Sequence, residues 1–358
     1  VFQDGEKFMA INRIGVLTSG GDCAGLNAVI RAVTRRAILK YGWQVYGVND
    51  GSHGLFDRPP RFQELTLPDF TGTVLRMGGT ILGSVNSGDP FDFPMPDGTR
   101  QDRSAEIIDG YAQLGLDALI AIGGDGSLAI LRELAQQGDW NLVGIPKTID
   151  NDVDMTENAV GYVTAVDVAT EALDRLQPTA ASHNRVMILE VMGRDHGHIA
   201  INAGIAGGAD VILIPEIPFD LDRIKSKFED VLSEEGRSFA LVIVAEGVRP
   251  IGETIDKNIG QYLGQHIAEM TGAETRVTVL GHTQRGRTPS PRDRLFASAF
   301  GIHAVDLVAE GKFDRMVAWS SRDCIDVPLA DVVGHSRAVD PDGSIVRTAR
   351  GLGICLGD

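Results

Sequence analysis

Short apolar runs alternate with amphipathic stretches along almost the whole chain. Residues 14–17 are apolar and lead into Ser19-Gly20-Gly21-Asp22; then Leu26, Val29, Ile30, Val33 and Ala37 recur at helical spacing. Residues 43–48 predict a second strand. Residues 118–122 predict a third, ending in Gly123-Gly124-Asp125-Gly126-Ser127 and followed by a helix over about 128–137. Residues 142–145 predict another strand, which Pro146 should halt. The second half repeats the style. Residues 162–176 carry helical periodicity, and 291–310 predict a further helix. The continuous apolar runs 186–191, 211–214, 239–245 and 277–280 predict strands buried on both faces. This order predicts an α/β architecture of parallel sheets covered by helices. Residues 88–103, rich in Pro, Asp and Gly, read as a surface loop. Periodicity fades after Gly334, where a peripheral extension is expected.

A chain of 358 residues suggests two domains or one large α/β domain. Most of its 43 glycines sit at the ends of apolar runs, the position at which open α/β sheets bind ligands. The net charge of −16 disfavours nucleic acid and anionic membranes, so a site for a phosphate must gather its arginines locally. No apolar run approaches the roughly 18 residues that span a bilayer. The first ten residues lack an apolar core and predict no secretory signal; Met9 is a candidate start. Cys23, Cys324 and Cys355 lie far apart without metal spacing, as expected of free thiols in a reducing compartment.

The chemistry-bearing motifs occupy strand ends. Gly20-Gly21-Asp22 suits either a tight strand-to-helix turn or close approach of backbone to a phosphate. Gly123-Gly124-Asp125-Gly126-Ser127 adds a carboxylate, which either caps a helix or meets a magnesium ion carried by phosphates. Pro146-Lys147-Thr148-Ile149-Asp150-Asn151-Asp152 brings an ammonium, a hydroxyl and two carboxylates directly after a strand. Such a segment is an acidic surface turn, or it holds a general base for an attacking alcohol. Arg185, Arg194, Arg276, His282 and Arg285 are the candidate cation cluster for a phosphate. His196 and His198 lack a third ligand nearby and read as a helix start.

Together these segments resemble the phosphofructokinase family over about residues 12–332. The markers are Gly20-Gly21-Asp22, Gly123-Gly124-Asp125-Gly126-Ser127, Thr148-Ile149-Asp150-Asn151-Asp152, Met192-Gly193-Arg194 and Gly281-His282-Thr283-Gln284-Arg285-Gly286, in the family's order. The resemblance implies the phosphofructokinase fold, two Rossmann-like parallel-sheet domains with helices on both faces. Residues 9–149 plus about 286–335 would bind the phosphoryl donor, 150–285 the sugar phosphate, and 336–358 would be a C-terminal extension. It implies phosphorylation of fructose 6-phosphate at the 1-hydroxyl by MgATP in the cytoplasm, by a homotetramer with sites shared between subunits. Asp150 would be the catalytic base, and Arg194 would also help stabilise the transition state; Lys147, which departs from the ATP-using pattern, is a further catalytic candidate on the inference that it replaces a positive charge missing at Asn86. Thr148, Asp152, Arg185, Met192, Gly193, Arg194, Glu246, Arg276, His282 and Arg285 would contact the sugar phosphate, Arg185 and Arg276 from a neighbouring subunit. Gly21, Asn86, Ser87, Gly124, Asp125, Gly126 and Ser127 would hold the phosphoryl donor, Asp125 with Mg2+.

Three positions bear on the donor, and two of them, Lys147 and Asn86, depart from a simple ATP pattern. Lys147 stands where bacterial ATP users usually have glycine, and lysine there is typical of pyrophosphate users. Gly126 stands where pyrophosphate users typically have an aspartate that would crowd a nucleotide α-phosphate. Asn86 stands where many ATP users have arginine. Room at Gly126 is a precondition for a nucleotide, so ATP is the expected donor and pyrophosphate the alternative. Arg31, Arg35 and Asp210 match the family's effector site, but Gln177 and Ser52 do not, so control by the usual effectors is not expected. A binding-only regulator would have lost Asp150 or Asp125. A related lipid or NAD kinase would not need the sugar-phosphate arginines.

Overall fold

Glycine-punctuated apolar runs of four to seven residues suit strands buried between helices, and the chain builds two such sheets. The computed structural model describes residues 11–86, 88–233, 236–252 and 258–358. Met9 and Ser87 lie outside the described residues. The strands are β1 (Arg13–Thr18), β2 (Gln44–Val48), β3 (Phe62–Glu64), β4 (Phe93–Pro94), β5 (Arg100–Gln101), β6 (Ala118–Gly123) and β7 (Leu142–Thr148). They continue as β8 (Val160–Gly161), β9 (Val186–Val191), β10 (Val211–Leu213), β11 (Ala240–Ala245), β12 (Thr275–Val279), β13 (Arg315–Ser320) and β14 (Asp323–Pro328). The helices are α1 (Leu26–Arg36), α2 (His53–Phe56), α3 (Ser104–Leu114), α4 (Asp125–Gly138) and α5 (Tyr162–His183). After them come α6 (His198–Ala206), α7 (Leu221–Ser233), α8 (Ile259–Thr271), α9 (Pro291–Ala309) and α10 (Ser344–Gly351).

Two compact units result. The first takes the described residues of Val1–Thr148, Asp152–Gly161 and Thr288–Ser336. Its sheet runs β14-β13-β7-β6-β1-β2-β3, with β8 paired to β7. Every residue of β6 is buried. Leu17, Leu119, Leu128, Leu131, Leu142 and Met316 belong to one apolar core between this sheet and its helices. Each side chain so buried contributes roughly 1.5–3 kcal/mol. The second unit takes Ile149–Asn151, Tyr162–Arg287 and Arg337–Asp358. Its sheet is wholly parallel, in the order β10-β11-β9-β12.

Several expectations change. Pro146 does not halt its strand: β7 runs on to Thr148. Proline removes only a backbone N–H. Pairing with β6 ends at Pro146, and Lys147 and Thr148 pair instead with Val160 and Gly161. The strand expected at 277–280 is β12, an edge strand with partly exposed residues rather than one buried on both faces. The first sheet is not purely parallel, because β3 and β14 join antiparallel at its two edges. Residues 88–103 hold a short antiparallel β4–β5 pair rather than only loop. The stretch after Gly334 is not peripheral either. Cys355 bridges to Val211 at the open edge of β10, which occupies unpaired backbone there.

Candidate active site

In the first sheet the strand order reverses between β1 and β6, the switch point where α/β sheets leave a crevice beyond their strand ends. The two glycine motifs follow those two strands. Gly20 has φ +83°, a conformation glycine adopts without steric cost. A Cβ there would meet Lys147 Nζ at 2.9 Å and Ser127 Oγ at 3.0 Å, so the lysine and the hydroxyl point at the bare backbone. The Gly20 N–H donates to the carbonyl of Val85 at 2.8 Å, and the Ser84 hydroxyl donates to the carbonyl of Gly20 at 2.5 Å. The segment leading to exposed Asn86 is thereby tied to the same turn.

The α4 helix starts at Asp125, three residues before its expected start, because the glycine turn itself supplies the first helical turn. Its free N–H groups and dipole favour an anion at this end. A Cβ at Gly126 would have nothing within 4 Å. Lys147 is buried at the end of β7, and its ammonium donates to the carbonyl of Gly21 at 2.8 Å. Burying an ammonium costs several kcal/mol before compensation, which makes this a costly place for a merely structural lysine. Among the described residues no group of three or more His, Cys, Asp or Glu could hold a metal by itself. One carboxylate at a helix end suited to an anion fits magnesium bound mainly through phosphate oxygens.

In the second sheet the motifs follow β9, β11 and β12 at their carboxyl ends. Asp150 is buried, and Arg194 Nε lies 3.5 Å from its Oδ2. The Arg194 N–H donates to Glu246 Oε1 at 3.2 Å, and the Glu246 N–H donates to the carbonyl of Val191 at 2.8 Å. Gly247 permits this packing, since a Cβ there would lie 1.8 Å from the carbonyl oxygen of Arg194. Glu190, Arg194, Asp195, Glu246 and Arg249 line a cavity of about 430 Å³, which suits a small polar ligand. Burial raises the Glu190 carboxyl above its usual range, opposed by a hydrogen bond from the Gly260 N–H and reinforced by Glu246. The His282 turn is fixed by fully buried Gln284, whose Oε1 accepts the Met192 N–H at 2.8 Å. His282 is exposed, and Arg285 is half-buried beside it in sequence.

Other sites stand apart from this arrangement. Arg185 and Arg276 sit at the amino ends of β9 and β12, so a strand length of roughly 20 Å separates them from Arg194 and His282 in the same chain. Both pair with Glu274. Thr148 and buried Asp152 fall in the first unit, while Asp150 falls in the second. Arg31 and Arg35 line a groove of about 450 Å³ in the first unit, whereas Asp210 accepts the Leu241 N–H at 2.9 Å and pairs with Arg237.

Sequence reasoning missed Gln284, Glu190, Gly247 and Arg337. Gln284 was visible inside its motif, but its contact is to a backbone N–H that no pattern announces. Arg337 donates to the carbonyl of Asn151 through Nε at 3.3 Å and Nη2 at 3.0 Å. His196 and His198 are at a helix start as expected, with Gly197 as the N-cap of α6.

A family model described as Phosphofructokinase matches residues 13–308. A protein of Synechocystis sp. named ATP-dependent 6-phosphofructokinase is 59% identical, covering 97% of this chain and 99% of the relative. One of Nostoc sp. with the same name is 58% identical over the same shares. Phosphofructokinase from Saccharomyces cerevisiae superposes with a TM-score of 0.75 at 31% identity; it covers 90% of this chain, and this chain spans 45% of the yeast chain. A pyrophosphate-dependent phosphofructokinase from Nitrosospira multiformis gives a TM-score of 0.83 over 98% of this chain and 93% of that one. At 19% identity that likeness carries the fold alone.

Proposed function

The chain belongs to the phosphofructokinase family, and we propose that it is an ATP-dependent 6-phosphofructokinase. It transfers the terminal phosphoryl group of MgATP to the 1-hydroxyl of fructose 6-phosphate, giving fructose 1,6-bisphosphate and ADP. The observation that carries this reading is the buried Asp150 carboxylate facing Arg194 across 3.5 Å, in the unit whose cavity Arg194 and Glu246 line. Asp150 takes the proton of the 1-hydroxyl as its oxygen bonds to the terminal phosphorus, and the bond to the β-phosphate bridge breaks. Arg194 stabilises charge on the transferring group.

Arg194, Met192, Gly193, Glu246, His282 and Arg285 hold the sugar phosphate, with Thr148 and Asp152; Arg185 and Arg276 serve a neighbouring subunit of a homotetramer. Residues 9–149 and about 286–335 bind ATP, and 150–285 bind the sugar phosphate. Gly21, Gly124, Asp125, Gly126 and Ser127 receive the ATP phosphates, joined by Asn86 and Ser87. Asp125 is the residue that would meet the magnesium, which neutralises phosphate charge when bound. ATP rather than pyrophosphate is supported by the open space at Gly126 and by the names of the relatives at 59% and 58% identity. The enzyme acts in the cytoplasm; no helix among the described residues is long and apolar enough to cross a membrane.

The test offers purified protein fructose 6-phosphate and magnesium with ATP, ADP or pyrophosphate in turn. The highest kcat/KM is expected with ATP. Turnover with pyrophosphate alone would overturn the choice of donor, and no turnover with any of the three would overturn the activity.

A further inference from the structure

We propose that Arg337 is a positioning residue that fixes the backbone carrying Asp150, so that the C-terminal stretch of this chain is a strap for the catalytic base. The inference rests on the reading of Asp150 as that base. It starts from the backbone. Asn151 is buried and has φ +56°, in the left-handed region that asparagine enters more readily than most residues with a side chain. Its carbonyl is gripped by two nitrogens of one guanidinium, Arg337 Nε at 3.3 Å and Nη2 at 3.0 Å. Bonds from a charged donor are stronger than those between neutral groups. The carbonyl they hold is one residue from Asp150.

Arg337 is itself fixed at its backbone. The ring of His198 donates from Nε2 to the carbonyl of Arg337 at 2.8 Å. Two residues on, the Val339 N–H donates to Glu216 Oε1 at 2.9 Å. The same carboxylate accepts the N–H of Gly197 at 3.1 Å on each oxygen. Gly197 closes the loop that carries Met192, Gly193 and Arg194, and Arg194 lies 3.5 Å from Asp150. Asp150 and the Arg194 loop are thus joined directly and again through the strap. The far end of the strap is stitched to the sheet, with the Ile212 N–H donating to the carbonyl of Cys355 at 2.9 Å and the Cys355 N–H to that of Asp210 at 3.0 Å. All of these residues belong to the second unit.

A guanidinium that only filled a polar gap would affect stability. One that aims a base affects kcat, since a displacement of about 1 Å at a reacting group costs on the order of 10²-fold in rate. The test compares the full-length parent with R337M and R337K, by turnover of ATP and fructose 6-phosphate and by amide hydrogen exchange of the peptide covering 149–153. For R337M, kcat should fall about 10- to 100-fold while the fructose 6-phosphate KM stays within about threefold. The peptide should exchange at least about tenfold faster. R337K, with one charged donor group restored, should fall between the two. Parent-like exchange in R337M, or a kcat within about twofold of the parent, would overturn the inference. If R337M does not fold, R337K decides, and a parent-like kcat there overturns it. An inactive parent would contradict the proposed activity instead, and the exchange rates would still decide whether the strap holds this segment.

Discussion

Arg194 Nε stands 3.5 Å from Asp150 Oδ2, a charge contact longer than a charge-assisted hydrogen bond. The carboxylate is buried, while the arginine side chain keeps 60% of its surface exposed. The geometry suits the pair to two separable jobs. On the proposed reading Asp150 is a base with a cation beside it, and the guanidinium retains surface with which to meet a phosphoryl group.

The space at Gly126 predicts donor choice. Gly126→Asp has room in the protein, since nothing lies within 4 Å of the added Cβ, so the variant should fold. Its carboxylate should conflict with an ATP α-phosphate by charge and bulk. Use of ATP should drop in kcat/KM, and any use of pyrophosphate should change far less. Equal loss with both donors would remove Gly126 from this role.

Lys147 and Asn86 predict a non-additive pair. Lys147 Nζ reaches the bare backbone of Gly20, and the Gly20 N–H is bonded to Val85, next to Asn86. Many ATP users of the family are expected to keep arginine at 86 and glycine at 147, and the prediction is that positive charge has moved from the one position to the other. Lys147→Gly should lower kcat by on the order of 10² or more, as for loss of a fixed charge stabiliser. Adding Asn86→Arg should recover part of that loss. A Lys147→Gly enzyme as fast as the parent would contradict the shared role.

Much of the fold was legible because buried strands leave a continuous apolar signature, as in β6, β9 and β11. The edge strand β14 was not, because its exposed positions break the apolar run that marks a buried strand, whereas the buried apolar run at 316–318 in β13 is a signal that sequence reasoning passed over. β7 outran its proline because the ladder changes partner there, a fact of tertiary pairing. The candidate site residues that announce themselves carry charges at strand ends, Asp125 and Arg194 beside glycines and Asp150 two residues from a second carboxylate, Asp152. Gln284 and Arg337 act on backbone groups far away in sequence, and no local spacing encodes such a contact.

The placement of Arg185 at the amino end of β9, away from Arg194, predicts complementation. Arg185→Ala and Asp150→Ser should each be nearly inactive alone. Mixed and reassembled, the two should regain some activity, because Arg185 from one chain would meet Asp150 of another. Mixed oligomers confirmed by mass without recovery would count against shared sites.

His198 predicts a pH dependence of stability. Burial pushes its imidazole below the usual value, against the upward pull of its bond to the Arg337 carbonyl; Arg337 and His196 act downward and Glu216 upward. A lowered folded value means that the neutral ring is favoured in the fold. Its stabilisation is fully present above the unfolded value of about 6.5 and is lost as pH falls through the lower folded value. Glu190, raised by burial, has the opposite slope and loses stability as pH rises. The difference in Tm between parent and His198→Gln, followed from about pH 7.5 down to 5.5, isolates the histidine. The parent should lose its advantage toward low pH, and a constant difference would contradict the assignment.

The most direct measurement is the turnover of ATP and fructose 6-phosphate by Asp150→Ser. A serine cannot accept the proton of the 1-hydroxyl, while the cations that hold the sugar phosphate remain. The kcat for fructose 1,6-bisphosphate formation should fall by roughly 10²–10⁴, the usual contribution of a positioned general base, with a much smaller change in the fructose 6-phosphate KM. A folded Asp150→Ser enzyme with a kcat near that of the parent would contradict the account.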